Sequence, residues 1–147
     1  MSVVNKQSQR KYKLVGDVLE AGLQLLGHEV KSIHSKGTVN ISQAYVVIRG
    51  GEMWLINAHI QPYVHIGYAV PDATRARKLL VHKKEVLEMR HKAEAGKLSI
   101  IPVRLYKKKN RYKLAISLAQ GRSHEDMRQR LRDKAVQRDN DRTFRNR

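Results

Sequence analysis

The chain has 147 residues, and its 30 lysine and arginine residues outnumber 13 aspartate and glutamate residues, which leaves a formal net charge of +17. This length suits one domain, and 41% hydrophobic residues suffice for a core, so the chain is not a disordered basic tail. The absence of cysteine excludes disulfide frameworks and thiolate metal sites. The lack of a signal peptide or a long apolar run predicts a cytoplasmic protein. The large positive charge predicts that this protein binds a polyanion.

The first third of the chain predicts strands and one short helix. Residues 10–26 alternate well enough to suggest strands, with an interruption near Gly16. A helix is expected over His28–His34, with Val30 and Ile33 turned inward.

A β-hairpin is predicted over residues 44–60. Residues 44–49 and 52–58 are rich in β-branched and aromatic side chains and flank Gly50 and Gly51, which supply the positive φ angles of a tight turn. The apolar neighbours of Trp54 predict that its ring belongs to the core.

The second half predicts a helix followed by another hairpin. Apolar residues recur at helical spacing over 83–95, and the helix is expected to stop at Gly96. Residues 98–106 and 111–119 form the arms of the hairpin, and the basic run between them forms its turn. Pro102 lacks a backbone N–H, so we expect it near an edge or a bulge.

These elements predict a mainly β fold with added helices, either an OB-like antiparallel β-barrel or an open sheet. Composition divides the chain into a core over 1–120 and a basic C-terminal tail over 121–147. The tail has too few large apolar residues for a core, so we expect it to be disordered when free and to fold on binding.

The positive charge is concentrated in the middle of the chain. Residues 71–120 carry 14 basic and 4 acidic residues, a net charge of +10. The run 107–113 holds five basic residues and no acid, which favours contact with a polyanion over a solvated face.

Catalytic and metal-binding motifs are missing from this sequence. His28 and His34 are six residues apart, whereas two ligands on one helical face need a spacing of four. The acidic residues of the core are single and scattered, and no serine-nucleophile or phosphate-loop motif occurs. We therefore expect no cofactor and no catalysis. If the polyanion is RNA, a folded RNA that is recognised by its shape and phosphates would require few aromatic residues of the protein.

Several short motifs occur in an order that is specific to one family. They are Glu20-Ala21-Gly22-Leu23, Gly27-His28-Glu29-Val30-Lys31-Ser32-Ile33, Lys36-Gly37, Asn40-Ile41, Ala44-Tyr45, Glu52-Met53-Trp54-Leu55, Asn57 to Tyr63, Arg75 to Glu85, Leu105-Tyr106 and Leu118 to Gly121. Over residues 5–121 the chain resembles the SmpB family of bacterial tmRNA-binding proteins.

The resemblance implies an OB-like barrel that grips the tRNA-like domain of tmRNA and stands in for the missing anticodon arm. The complex, with elongation factor Tu as an indirect partner, would deliver alanyl-tmRNA to the empty A site of a stalled ribosome. The tail would fold as a helix on 16S RNA and probe the vacant mRNA channel. No membrane partner is expected.

The motif matches and the basic clusters together nominate the tmRNA-binding residues. Glu20, Leu80 and His82 match family positions implicated in binding. The full set is Asn5, Lys6, Glu20, Lys31, Lys36, Asn40, Asn57, His59, Arg75, Arg77, Lys78, Leu80, His82, Lys83 and Lys84. The run 107–113 is left open between tmRNA and the ribosome.

The tail residues expected at the decoding centre begin with the hinge glycine of the family. They are Gly121, Arg122, His124, Asp126, Arg128, Arg130, Arg132 and Lys134. The tail departs from the family pattern, because His124 stands one place early and Met127 replaces the usual lysine.

Two other functions remain open at this point. A non-catalytic protein of ribosome assembly that binds rRNA would share the charge and the fold. A metal-dependent nuclease would need its scattered carboxylates to converge in the folded chain.

Overall fold

The computed structural model describes residues 2–63 and 72–121, and most of these residues lie in strands or helices. The strands are β1 (Ser2–Val4), β2 (Tyr12–Leu23), β3 (Val39–Asn40), β4 (Tyr45–Arg49), β5 (Glu52–Ile56), β6 (His59–Ile60), β7 (Arg77–Leu80), β8 (Ser99–Lys108) and β9 (Arg111–Gly121). The helices are α1 (Ser8–Lys11), α2 (Gly27–His34) and α3 (Lys83–Gly96). The predicted tail, beyond Gly121, lies outside the described residues.

Seven strands form one antiparallel sheet in the order β1-β8-β4-β5-β7-β2-β9, and β8 also pairs with β9. Strands β3 and β6 form a separate two-stranded sheet. The prediction of a mainly β, antiparallel fold with added helices is confirmed. No helix among the described residues is long and apolar enough to cross a membrane.

Both predicted hairpins are confirmed. Strands β4 and β5 pair on either side of Gly50 and Gly51, whose φ angles are +60° and +76°. The turn of the β8–β9 hairpin is shorter than predicted, because Lys108 still pairs with Arg111 in the ladder. Only Lys109 and Asn110 take the positive φ angles of the turn, 50° and 61°.

Irregular positions in the long strands follow from their residues. The register of β8 against β9 shifts directly after Pro102, as predicted for a residue without a ladder N–H. Strand β2 continues past Gly16 instead of ending there, and its register against β9 shifts between Val15 and Leu19. Gly16 takes a φ of +77°, so β2 absorbs the break as a local distortion of one strand.

Helix faces differ in part from the prediction. In α2, Ile33 is buried as predicted, but Val30 is 39% exposed. Glu29 and Ser32 are buried instead, because hydrogen-bond partners inside the protein hold both side chains. Helix α3 includes Gly96, and the left-handed residue that ends it is Lys97, with a φ of 50°.

The prediction that Trp54 belongs to the core is wrong. In β5 the buried side chains are Met53 and Leu55, each 1% exposed, which face the core. Successive side chains of a strand point to opposite faces, so Trp54 and Ile56 lie on the outer face of the sheet and are half-buried.

A buried ion cluster joins α2 to the strand β7. Glu29, Arg75 and Arg77 form this Glu29 cluster, in which Arg77 is fully buried and Glu29 is 1% exposed. The Arg77 Nε donates to Glu29 Oε2 at 2.7 Å, and Arg75 pairs with the other carboxylate oxygen. The remaining guanidinium nitrogens of Arg77 donate to the carbonyl oxygens of Ala58 and Ala73, at 2.6 and 2.8 Å.

The same carboxylate also caps its own helix. Glu29 Oε1 accepts a hydrogen bond from the backbone N–H of Leu26, the N-cap residue, at 2.9 Å. Burial alone would raise the pKa of Glu29, but the hydrogen bonds from Arg75, Leu26 and Arg77 outweigh it and lower the pKa below its ordinary value. The cluster therefore stays ionised and ties α2, the segment 72–76 and β7 together.

Gly37 ends the α2 region under tight steric constraint. Its N–H donates to the Ser32 carbonyl oxygen at 2.7 Å, and a Cβ at this position would lie 2.8 Å from the same oxygen. We expect Gly37→Ala to lower the free energy of unfolding by about 1–3 kcal/mol, because backbone atoms cannot move aside cheaply. A Cβ at Gly27 would meet no atom within 4 Å, so Gly27→Ala is the control and should leave stability unchanged or raise it in urea unfolding.

Removing the charge of Glu29 should destabilise the fold strongly. We expect Glu29→Gln to cost about 3–5 kcal/mol, because it leaves buried Arg77 without its counter-ion. The control is Glu52→Gln, whose partner Lys78 is more than one-third exposed, and its cost should stay below about 1 kcal/mol. Urea titrations of both variants measure the difference, and equal costs would contradict a structural role for the cluster.

The stability of the parent chain should also depend on acid pH. A carboxyl group with a lowered folded pKa stabilises the protein fully above its unfolded pKa, about 4.3 for glutamate, and loses this contribution as the pH falls through the folded value. We therefore expect a steeper loss of stability below about pH 4.5 in the parent chain than in Glu29→Gln.

Candidate nucleic-acid interface

A groove runs across β2, β5 and β7 to the first turn of α3. We call it the β7 groove; its cavity volume is about 600 Å³. Five of the nominated residues line it, namely Glu20, Lys78, Leu80, His82 and Lys83. Residues 60 positions apart in the sequence thus meet at one surface, which the linear sequence does not show.

Strand alternation and a glycine place Leu80 in this groove. Arg77 and Leu79 of β7 are buried, so Lys78 and Leu80 point outward. Gly22 of β2 pairs with Leu80, and a Cβ at Gly22 would lie 3.1 Å from the Leu80 Cβ. Leu80 is 56% exposed, so a large apolar side chain is held on the surface beside charged neighbours.

The other end of the groove is the positive end of α3. His82 is the N-cap residue in extended conformation, and its side chain makes no capping hydrogen bond. Lys83 and Lys84 follow as the first two residues of the helix. The N–H groups of the first turn, the positive end of the helix dipole and the Lys83 ammonium coincide in the groove, while Lys84 lies outside it and Glu85 of the same turn also lines it. The N–H groups and Lys83 suit a phosphate.

Glu20 is one of three acids that line this groove, with Glu52 and Glu85, and three lysines line it as well. The Glu20 carboxylate accepts hydrogen bonds from the Tyr106 hydroxyl and from Lys108 Nζ, the latter at 3.5 Å. The hydrogen bond from Tyr106 is the main reason that the pKa of Glu20 lies below its ordinary value. Burial and the hydrogen bond to Glu20 raise the pKa of Tyr106 to about 12, so the phenol stays a donor. A charged carboxylate can accept hydrogen bonds from the N–H groups of bases. The phosphates of an RNA backbone have no such N–H donors.

The β8–β9 hairpin extends the groove with residues outside the nominated set, two of which belong to the basic run 107–113. Lys113 lines the groove, and Tyr106 and Lys108 hold Glu20. The Arg104 guanidinium lies 4.5 Å from the centre of the Tyr106 ring, a cation–π distance. Alternation along the hairpin arms could have placed Lys113 outward, but not beside Glu20.

Several nominated residues are exposed but do not line the groove. Asn40 Oδ1 accepts from the Ser42 N–H at 2.9 Å, and Asn57, with a φ of 63°, donates to the Gln43 carbonyl oxygen at 3.2 Å. These two amides therefore shape local turns. The exposed residues outside the groove are Lys6, Lys31, Lys36, Asn40, Asn57, His59 and Lys84.

Burial gives two nominated residues structural partners. Asn5 is 4% exposed and donates to the Pro102 carbonyl oxygen at 2.7 Å, while Arg77 is fully buried in the Glu29 cluster. Arg75 belongs to the same cluster with its side chain 26% exposed. These three side chains hold the scaffold, and of them only Arg75 reaches the surface.

Gly121 is the one nominated tail residue that the structure describes. Gly121 ends β9, where it pairs with Tyr12. The others lie outside the described residues: Arg122, His124, Asp126, Arg128, Arg130, Arg132 and Lys134. Within 2–63 and 72–121, no three histidine, aspartate or glutamate residues are grouped so that they could hold a metal ion.

Comparison with known proteins places the chain among relatives that match it along most of its length. An SsrA-binding protein of Aquifex aeolicus is 41% identical over 140 residues, which cover 95% of this chain and 88% of that protein. An SsrA-binding protein of Syntrophotalea carbinolica is 41% identical over 143 residues, 97% of this chain and 94% of the relative.

A solved structure has the same fold. The chain is 31% identical to one described as "tmRNA-SmpB: a journey to the center of the bacterial ribosome". The two superpose with a TM-score of 0.70, and the match covers 89% of this chain and 94% of that one. The family model described as SmpB protein matches residues 2–146. This chain belongs to the SmpB family.

Proposed function

We propose that the chain binds tmRNA and brings it to stalled ribosomes in trans-translation. Its relatives are named SsrA-binding proteins, and a structure with its fold is described with tmRNA and the bacterial ribosome. The observation that carries the proposal is the β7 groove, where the family-matched residues Glu20, Leu80 and His82 converge. A tmRNA-dependent mobility shift that survives an excess of rRNA would distinguish this function from general rRNA binding.

The chemistry of the groove suits a folded RNA with an accessible base. The first turn of α3, where Lys83 lines the groove and Lys84 lies just outside it, takes a backbone phosphate. Leu80 packs on a sugar or a base face, since it is the exposed apolar side chain of the groove. Glu20 accepts a hydrogen bond from a base N–H, which gives the groove a preference beyond charge.

We infer that the sheet closes into an OB-like barrel. Pairing runs from β8 through β4, β5, β7, β2 and β9, and β9 pairs again with β8. This cycle leaves none of the six strands without two neighbours, and it supports a barrel over an open sheet. The β7 groove then lies on the outer wall, where β7 meets β2 and β5.

We also propose the division into a tmRNA-binding core over 1–120 and a ribosome-binding tail over 121–147. The core would accompany alanyl-tmRNA to the A site, and the tail would enter the empty mRNA channel on 16S RNA. Such a protein works in the cytoplasm and needs no catalytic residue of its own. The net charge of +4 on the tail supports a second RNA contact.

Removal of the tail should separate these two activities. We expect a chain truncated to residues 1–121 to bind tmRNA with nearly unchanged affinity, because the β7 groove remains complete. The same chain should fail to support peptide tagging on stalled ribosomes in a reconstituted translation assay. Loss of tmRNA affinity on truncation would contradict the division of labour.

A single lysine in the groove should contribute one phosphate contact. We expect Lys83→Gln to weaken binding to the tRNA-like domain of tmRNA and to reduce the slope of log K against log salt by about 0.7–0.9. Lys92→Gln is the matched control, since Lys92 is an exposed lysine of the same helix that does not line the groove. Filter binding at several salt concentrations measures both slopes, and equal slopes would argue against phosphate contact by Lys83.

A further inference from the structure

The outer face of the β4–β5 hairpin carries a half-buried tryptophan in a surface cavity. Trp54 pairs across the strands with Val47, and Ile56 follows two residues later on the same face. Tyr45, opposite Ile56, is 44% exposed. A cavity of about 480 Å³ is lined by Val47, Trp54, Ile56 and Ala76 together with charged residues of the hairpin. The indole is therefore presented beside an open space large enough for a nucleobase.

This aromatic cavity adjoins the β7 groove, and the two share one lining residue. Lys78 pairs with Trp54 in the register of β5 and β7, so both side chains lie on the same face. Lys78 also lines the β7 groove and forms an ion pair with Glu52 at 2.9 Å. Glu52 lines both cavities, so the Glu52–Lys78 pair is a shared rim between them.

The charge of this face favours RNA over a protein segment. Arg49 of β4 lines the cavity opposite Glu52, which is the one acid among the described residues that line it, and Lys78 of β7 lies beside Trp54 across the strands. An aromatic ring between two cations suits a base with its flanking phosphates. A chain with a net charge of +17 also attracts a polyanion before any short-range contact forms.

We propose that Trp54 stacks on an unpaired base of the same tmRNA whose tRNA-like domain occupies the β7 groove. This inference rests on the proposed function and extends its RNA-binding surface across β5. The Glu52–Lys78 rim marks the path along which the RNA backbone passes from one cavity to the other. Stacking tolerates any base, so this contact adds affinity without reading sequence.

The chain itself provides the probe, because Trp54 is its only tryptophan. We expect a transcript of the tRNA-like domain of tmRNA to quench Trp54 fluorescence saturably, with the same dissociation constant as an independent mobility shift. Trp54→Leu should weaken binding by about 5- to 150-fold, the range for loss of one stacked base. Trp54→Phe keeps an aromatic face and should retain most of the affinity.

Controls keep structural effects apart from stacking. Leu87→Ala removes another exposed apolar side chain, 53% exposed on α3, and should not change the affinity. Urea unfolding of Trp54→Leu tests its fold, and if this variant does not fold, the fluorescence of the parent chain and the Trp54→Phe variant still decide the question.

The outcomes distinguish this inference from the function on which it rests. A normal mobility shift without quenching, or a folded Trp54→Leu variant with full affinity, would overturn stacking and leave tmRNA binding intact. Quenching by small ribosomal subunits alone would also overturn it, because the partner would then be rRNA. Quenching by a protein partner but not by RNA would do the same. No shift with tmRNA at all would refute the proposed function together with this inference.

Discussion

The buried pairing of Glu29 with Arg75 and Arg77 is the constraint on which the rest of this molecule depends. One carboxylate caps α2 through the Leu26 N–H and holds both guanidinium groups. Arg77 in turn holds the carbonyl oxygens of Ala58 and Ala73, so the segments before β6 and before β7 meet at one point. A buried ion pair adds little net stability compared with apolar packing, but removing either partner is costly. The cluster therefore fixes where β7 starts.

The position of β7 then determines the chemistry of the surface. Because Arg77 and Leu79 are turned inward, Lys78 and Leu80 must face outward. Lys78 becomes the rim between two cavities, and Leu80 becomes an exposed apolar side chain beside the cationic start of α3. Glu20, held by Tyr106 and Lys108, adds an acceptor to this surface, which Glu52 and Glu85 also line. Cations alone would bind any polyanion, whereas the acceptor and the apolar contact favour RNA that presents a base.

Local sequence predicted the hairpins well and the faces of single residues less well. Gly50 and Gly51 determine a tight turn by their conformational freedom, and Pro102 disturbs the β8–β9 ladder wherever it lies in a strand. Val30 and Trp54 were predicted to face inward because they are apolar, yet both are partly exposed. Hydrophobic residues tend to be buried, but in α2 the ionised Glu29 lies on the inner face, and in β5 Met53 and Leu55 lie there.

The sequence by itself determined the net charge, the family and the kinds of residue that can meet an RNA, because composition and short motifs are properties of the chain. Only the tertiary structure decided which of them act together. It gathered Glu20, Lys78, Leu80, His82 and Lys83 into one groove, turned Asn5 and Arg77 into interior scaffold residues, and placed Trp54 outside the core. The physical reason is that these contacts join residues far apart in sequence, through strand register and one buried ion cluster. Neither can be read from local propensity.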